Sequence, residues 1–334
     1  MSHFYFTLLF LNVVYCDPNE SKLIADLLKN YNDLERPVRE PELPVKVKLG
    51  FQLIQIVDLD EKNQTLDTIA YLLYSWNDYN LKWDPKEYGN VTSINLPIDK
   101  IWRPDVLLYN SGSTDFDSTF KSMAQIDQNG SIFWNPPAIM KSTCDIDVRY
   151  FPFDEQLCWL KFGSWTYNGL KLDLEVDESG LDTSMFIPNG EWLLQDVNCN
   201  RSTKFYTCCP NEPYYDVKFY LHLRRRTLSI GMNIIVPSLL ISVLASFTFV
   251  LPVDAGEKVA LETTVMMSLI YCLEIVAEMT PVTSDSLPLL SMFYMSCIIL
   301  IGISCVFAVL VIISHTANPD TQIHMHTTVM SFSV

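Results

Sequence analysis

Two stretches without a single Asp, Glu, Lys or Arg, residues 227–253 and 286–319, constrain this chain more than any other feature. Each exceeds the ~20 apolar residues that an α-helix needs to cross a bilayer. Between them, residues 258–277 also reach across the ~30 Å hydrocarbon layer at ~1.5 Å per residue, but they carry Glu262 and Glu274. A carboxylate at membrane depth is costly and usually faces a watery cavity or a partner, so the middle span is the one expected to line something wet. The sequence therefore predicts an all-α membrane domain of three helices over residues 227–314.

The rest of the chain is different. Lys258 is the only Lys or Arg beyond Arg226, and the net charge of −16 leaves no basic patch for a phosphate backbone, so nucleic acid is excluded as a partner. Residues 1–16, with the apolar body 4–14, resemble a secretory signal, although Lys and Arg are missing from its start. Asn-x-Ser/Thr sequons begin at Asn19, Asn63, Asn90, Asn129 and Asn200, all before the first span, and are candidate glycosylation sites. Together these place residues 17–226 outside the cell and a short tail, 315–334, in the cytoplasm. Arg224, Arg225 and Arg226 then fall on the outer side, against the positive-inside tendency, which is consistent with a structural role at the junction.

In the outer half, Leu23, Ile24, Leu27, Leu28 and Tyr31 recur at helical spacing and predict a short amphipathic helix over 20–31. The period then changes to two: Val45, Val47, Leu49, Phe51 and Leu53 alternate with Lys46, Lys48, Gly50 and Gln52. Similar runs bounded by turn residues continue to Leu223, indicating an antiparallel β-sandwich. Cys144 and Cys158 enclose thirteen residues, a spacing suited to a hairpin-stapling disulfide. Cys208 and Cys209 are adjacent; Cα atoms ~3.8 Å apart lie below the usual disulfide range, so pairing elsewhere is the default. Cys199 is left as a buried thiol, a competitor for Cys208 or Cys209, or a link to another chain.

The Cys144–Cys158 loop with its Phe151-Pro152-Phe153-Asp154 run resembles that of the pentameric Cys-loop receptors. Residues 102–110 (Trp-Arg-Pro-Asp-Val-Leu-Leu-Tyr-Asn), 161–167 (Lys-Phe-Gly-Ser-Trp-Thr-Tyr), 206–214 (Tyr-Thr-Cys-Cys-Pro-Asn-Glu-Pro-Tyr) and Gly256-Glu257-Lys258 narrow the resemblance to nicotinic acetylcholine receptor subunits of alpha type. It covers residues 17 to about 320. The family continues through a cytoplasmic stretch to a fourth span, which lies outside these 334 residues, so little or no current is expected from this chain alone.

The resemblance implies that Cys208 and Cys209 do bond to each other at the tip of a ligand flap, and that Tyr109, Trp165, Tyr206 and Tyr214 form an aromatic cage, with Trp76 offered by the complementary face of a neighbouring subunit. A quaternary ammonium cannot hydrogen-bond but is drawn to ring faces by ~2 kcal/mol or more when desolvated, which suits acetylcholine or a related ligand. Gln125 and Asn135 stand where the family has partly apolar contacts on that complementary face. Glu257, Leu261, Thr264, Met267, Tyr271, Glu274 and Glu278 recur every three or four residues, on one helix face. By resemblance that face lines the pore, and in five copies its carboxylate rings would concentrate cations. Glu262 lies off this face and has no assigned role. Arg224–Arg226 and Phe151–Phe153 resemble the zone where ligand-driven motion passes to the membrane domain.

The expected function is a subunit of a homo- or hetero-pentameric acetylcholine-gated cation channel in the plasma membrane, at a synapse. The alternative is a non-conducting, membrane-tethered ligand-binding or dominant-negative subunit. The partners are the ligand, other receptor subunits, the lipid bilayer and permeant cations. No cofactor is expected, no metal-ligand spacing occurs among the His, and no His-Glu-x-x-His, Gly-x-Ser-x-Gly or phosphate-binding motif suggests an enzyme.

Overall fold

The computed structural model describes residues 18–114, 116–252, 256–281 and 286–316. The signal segment and nearly all of the cytoplasmic tail lie outside the described residues. Helix α1 (Pro18–Leu28) caps the outer domain and buries Leu23, in agreement with the helical spacing of the sequence. Eleven strands follow: β1 (Val45–Asp60), β2 (Thr65–Asn77), β3 (Ser93–Pro97), β4 (Val106–Leu108), β5 (Met123–Asp127), β6 (Ser131–Trp134), β7 (Pro137–Thr143), β8 (Glu155–Ser164), β9 (Leu172–Asp182), β10 (Trp192–Tyr206) and β11 (Cys209–Arg225). One sheet runs β3-β5-β6-β2-β1-β9, with β7 also paired to β2, and the other runs β10-β11-β8-β4. Pairing is antiparallel except between β1 and β9.

The two-residue period of β1 becomes the core: Val45, Val47, Leu49, Phe51 and Leu53 are all buried. Phe51 stacks on Phe219 of β11 at 5.1 Å and meets Phe162 of β8 at 6.2 Å, so aromatic rings tie one sheet to the other. The Cys144–Cys158 disulfide is formed and closes the loop between β7 and β8.

Three helices are long and apolar enough to cross a membrane: α2 (Leu228–Phe247), α3 (Lys258–Glu278) and α4 (Leu289–Thr316). In α2 a π-helical turn, Gly231–Ile235, lies just before Pro237, with Val236 between them. Proline has no N–H to give to the carbonyl four residues back, and a widened turn absorbs the mismatch. Gly256 stands at φ +68° just before α3, a conformation that side chains rarely adopt. Tyr294 of α4 donates its hydroxyl proton to Ser238 Oγ of α2 at 2.9 Å, fully buried, and this pins the outer helices together behind α3.

The junction between the two domains is built on Arg225. Its guanidinium makes a two-pronged ion pair with Asp154 (2.8 and 3.0 Å), a third contact to Glu61 at 2.6 Å, and lies over the rings of Trp192 (4.3 Å) and Phe151 (5.1 Å). Arg224 pairs with Glu155 at 3.7 Å. These arginines are held by acids of the sandwich, which accounts for positive charge on the outer side of the first span. The Leu289 N–H at the start of α4 donates to the carbonyl of Arg149 at 3.0 Å, so the Cys-bounded loop touches the membrane domain directly.

Candidate ligand site and pore helix

Four of the aromatics singled out by the sequence come together at one edge of the four-stranded sheet. Tyr109 follows β4 and meets Trp165, just past β8, edge to face at 6.0 Å. Tyr206, at the end of β10, meets Tyr214 on β11 in the same manner at 5.2 Å. The two pairs are close enough that Tyr206 and Tyr214 act electrostatically on the Tyr109 phenol, which burial, first of all, pushes well above the usual tyrosine range. Trp165 remains 67% exposed. The four rings therefore form an aromatic cluster with one open side, at which Trp165 meets solvent.

Local chemistry fixes these rings. The Tyr109 hydroxyl donates to the carbonyl of Ser164, and the ring lies so close to β8 that a Cβ on Gly163 would sit 2.7 Å from it. Only glycine permits that approach. The Asp105 carboxylate accepts from Ser164 Oγ (2.5 Å) and from the Thr166 N–H (2.7 Å), clamping the turn that carries Trp165. Beneath Tyr109, Lys161 pairs with buried Asp216 at 3.1 Å, its Nζ 5.3 Å from the ring centroid. Asp105 and Lys161 stand inside the quoted motifs with no role expected from the sequence. An Asp just after Pro104, able to accept from a nearby turn, is a local signal for the first; Asp216 has none, because its partners come from other strands.

Cys208 and Cys209 form the tip of the β10–β11 hairpin beside Tyr206 and Tyr214. Their sulfurs face each other at 2.6 Å, against the ~2.05 Å of a disulfide. The Cys209 thiol is pushed up, mainly by its hydrogen bond with Cys208, and the Tyr214 phenol is pushed up by desolvation and then by Cys209. Cys199 is half-buried and unbonded, with its sulfur against Gly180.

Trp76 does not join this surface. It is 4% exposed and packs edge to face on Trp102 at 6.2 Å within the core. Alternation along β2 decides it: Leu72, Tyr74 and Trp76 point inward, whereas Tyr71, Leu73 and Ser75 point outward. The assignment of Trp76 to a complementary face is therefore corrected, and the outward aromatic of that strand is Tyr71. On the same outer face, Gln125 and Asn135 are exposed, Gln125 lies across from Phe133, and Met123, Phe133 and Ile139 add exposed apolar surface.

Along α3, Glu257, Thr264, Met267, Tyr271, Glu274 and Glu278 share an exposed face, while Glu262, Val265, Leu269 and Val276 are buried on the opposite one. Leu261 is half-buried and departs from the stripe. Its place is taken by exposed Ala260, which at ~100° per residue falls in line with Thr264 and Met267. All five sequon asparagines are exposed, Asn19 on α1 and the other four among the strands and loops of the outer domain.

Comparison with known proteins converges on the same two domains. Residues 20–227 match the neurotransmitter-gated ion-channel ligand binding domain, and residues 234–332 match the neurotransmitter-gated ion-channel transmembrane region. The chain is 51% identical to the acetylcholine receptor subunit alpha-type acr-16 of Caenorhabditis elegans, over 91% of this chain and 61% of that protein. It is 39% identical to the acetylcholine receptor subunit alpha-1-A of Xenopus laevis, over 95% of this chain and 70% of that protein. It thus spans about 60% of the length of the curated nematode relatives that it matches. These are ligand-gated channels, not enzymes, and from its sandwich, its three spans and these matches, the chain belongs to the neurotransmitter-gated ion-channel family, alongside the alpha-type acetylcholine receptor subunits.

Proposed function

We propose that this chain is the principal-face subunit of a pentameric, acetylcholine-gated, cation-selective channel in the plasma membrane, and specifically at synapses. The observation that carries the proposal is the open half-cage of Tyr109, Trp165, Tyr206 and Tyr214 capped by two adjacent cysteines. Ring faces attract a quaternary ammonium without hydrogen bonds, and the effect grows as water is excluded. Exclusion requires a second wall, which fits a site at a subunit interface completed by the outward face of a neighbour, with Tyr71 rather than Trp76 as its aromatic. In this reading Cys208 and Cys209 join in the oxidising exterior, and sequon asparagines carry glycans. Arg225 and the Phe151 loop pass flap movement on to the spans. The acidic, exposed face of α3 lines the pore and favours cations.

Equilibrium binding of acetylcholine to the protein assembled in cell membranes, with tetramethylammonium as competitor, tests the site. Saturable binding displaced by tetramethylammonium is expected; binding indifferent to tetramethylammonium overturns the cage.

A further inference from the structure

The aromatic cluster takes up one end of the four-stranded sheet and leaves the rest of its outward face without a role. Strand parity lays that face out in rows. Leu157 of β8, His222 of β11 and Asp196 of β10 stand side by side; the next row is Trp159, Tyr220 and Asn198, and the one after is Lys161, Lys218 and Asn200. A groove of about 380 Å³ runs over the first two rows, walled by Leu157, Asp196, Val197, Asn198, Tyr220 and His222.

This groove is apolar in a place where water would otherwise meet it. Leu157 is 58% exposed, and the rings of Trp159 and Tyr220 are only half-buried. Most charges around it are answered within the sheet: Glu155 lies 3.2 Å from His222 Nε2 and 3.7 Å from Arg224, and Lys161 pairs with Asp216 at 3.1 Å. Exposed Asp196 and Asn198 add hydrogen-bonding groups at the rim. Ring faces, one aliphatic side chain and a few polar groups call for an occupant that is uncharged, flat-sided and rich in hydroxyls.

The means of supplying one stands at the edge of the groove. Asn200 opens the Asn200-Arg201-Ser202 sequon, and it lies in mid-strand on this face, whereas Asn19 is on a helix and Asn63, Asn90 and Asn129 are in turns. Among the described residues no hydrogen bond holds the Asn200 side chain, while the Asn63 amide donates to Asp60 at 2.6 Å. Same-face neighbours along a strand lie ~7 Å apart, and diagonal neighbours across strands ~7–8 Å, so the first sugar ring beyond the Asn200 amide reaches the row of Asn198 and Tyr220. On the other side of Asn200, Ser202 and Lys161 already engage buried Asp216, and no groove opens there.

We propose that Asn200 carries an N-linked glycan whose first two N-acetylglucosamine units lie in this groove, with their C–H faces on Tyr220 and Trp159 and their polar groups on Asn198 and Asp196. In the transfer, Asn200 Nδ2 forms a bond to the sugar C1 of a lipid-pyrophosphate-linked oligosaccharide. The bond from C1 to the pyrophosphate oxygen breaks, the amide loses one proton, and the lipid pyrophosphate leaves with the electron pair; nothing is oxidised or reduced. Tethering holds the sugar at a ~mM effective concentration, so weak contacts suffice to keep it on the rings. The inference rests on the reading that the outer domain is exported and glycosylated, but not on the acetylcholine reading.

The full chain is produced in insect cells, and glycopeptide mass spectrometry reports which sequons are occupied. Hydroxyl-radical oxidation of Tyr220 and Trp159 is then compared with that of Asn200→Gln, with exposed Phe133 on the other sheet as the reference. Asn200 should be occupied, and covering one face of each ring should slow its oxidation by about twofold or more while Phe133 is unaffected. Trimming the glycan to a single N-acetylglucosamine should keep the protection of Tyr220. If Asn200 is bare while other sequons are occupied, or if an occupied Asn200 leaves both rings oxidised as in the variant, the inference falls and the glycosylation reading stands. No glycan on any sequon overturns both. Should the variant misfold, enzymatic release of the glycan from the folded parent supplies the same comparison.

Discussion

The sandwich and the membrane helices follow opposite rules about what is out of place. In the sandwich, each strand turns alternate residues into a shared core, so a large ring left in water is the anomaly, and Trp165 is that ring. In the helices, apolar side chains point outward almost everywhere, and few residues of any span are buried. There the anomaly is a carboxylate turned inward, and Glu262 is that group. Each anomaly is a violation of the rule that its region's own solvent imposes.

Exchanging roles between two tryptophans is the sharpest way to break this comparison. Trp76→Ala removes a core indole and should cost ~3–5 kcal/mol of outer-domain stability, read as a fall in the denaturation midpoint of the sandwich. Arg225→Met should cost a similar ~3–5 kcal/mol, because Asp154 would be left buried without its cation. If either variant melted like the parent, the sandwich would not be organised around these groups.

Trp165→Ala should do the reverse. With most of its indole in water, its removal should change stability by no more than about 0.5 kcal/mol. Loss of one desolvated ring should weaken binding of a quaternary ammonium by ~2 kcal/mol, about thirtyfold. Parent-like affinity in folded Trp165→Ala protein would remove the ring from the site. Gly163→Ala tests the same cage from behind: its Cβ must displace Tyr109, an overpacking expected to cost ~1–3 kcal/mol, with affinity falling along with stability.

These pairs also show what could be read from the sequence. The strand period of β1, the three spans and the gathering of four aromatics at one sheet edge were legible because each depends on local pattern or on residues close to a turn. Trp76 was misplaced because membership of a strand does not reveal which parity faces inward; the register against Val47 and Ile132 does. Leu261 was placed on the exposed stripe because spacings of three and four both satisfy a helical face. Only its packing shows that Ala260 is the better member. Glu262 could be noticed but not explained, since Ser304, whose hydroxyl donates to its carboxylate, lies 42 residues away on another helix.

The smallest effect is expected on the acidic, exposed face of α3, where water rather than packing sets the energy. Glu257, Glu274 and Glu278 are exposed at the two ends of α3, so replacing one should leave folding intact. Its consequence lies in the field. A unit charge attracts a cation ~4 Å away by about 1 kcal/mol even in water, equivalent to about fivefold in local cation concentration. Narrow walls that exclude counter-ions lessen the screening. Glu257→Gln in a conducting assembly should therefore lower cation current severalfold and move the reversal potential toward that of chloride when the bath is diluted. Surface charge of this kind is screened by salt, so the difference from the parent should shrink as ionic strength rises. A difference that persists undiminished in concentrated salt would mean that Glu257 acts by shaping the helix end rather than by its charge. A parent assembly whose reversal potential already tracks chloride would deny the acidic face any role in selecting cations.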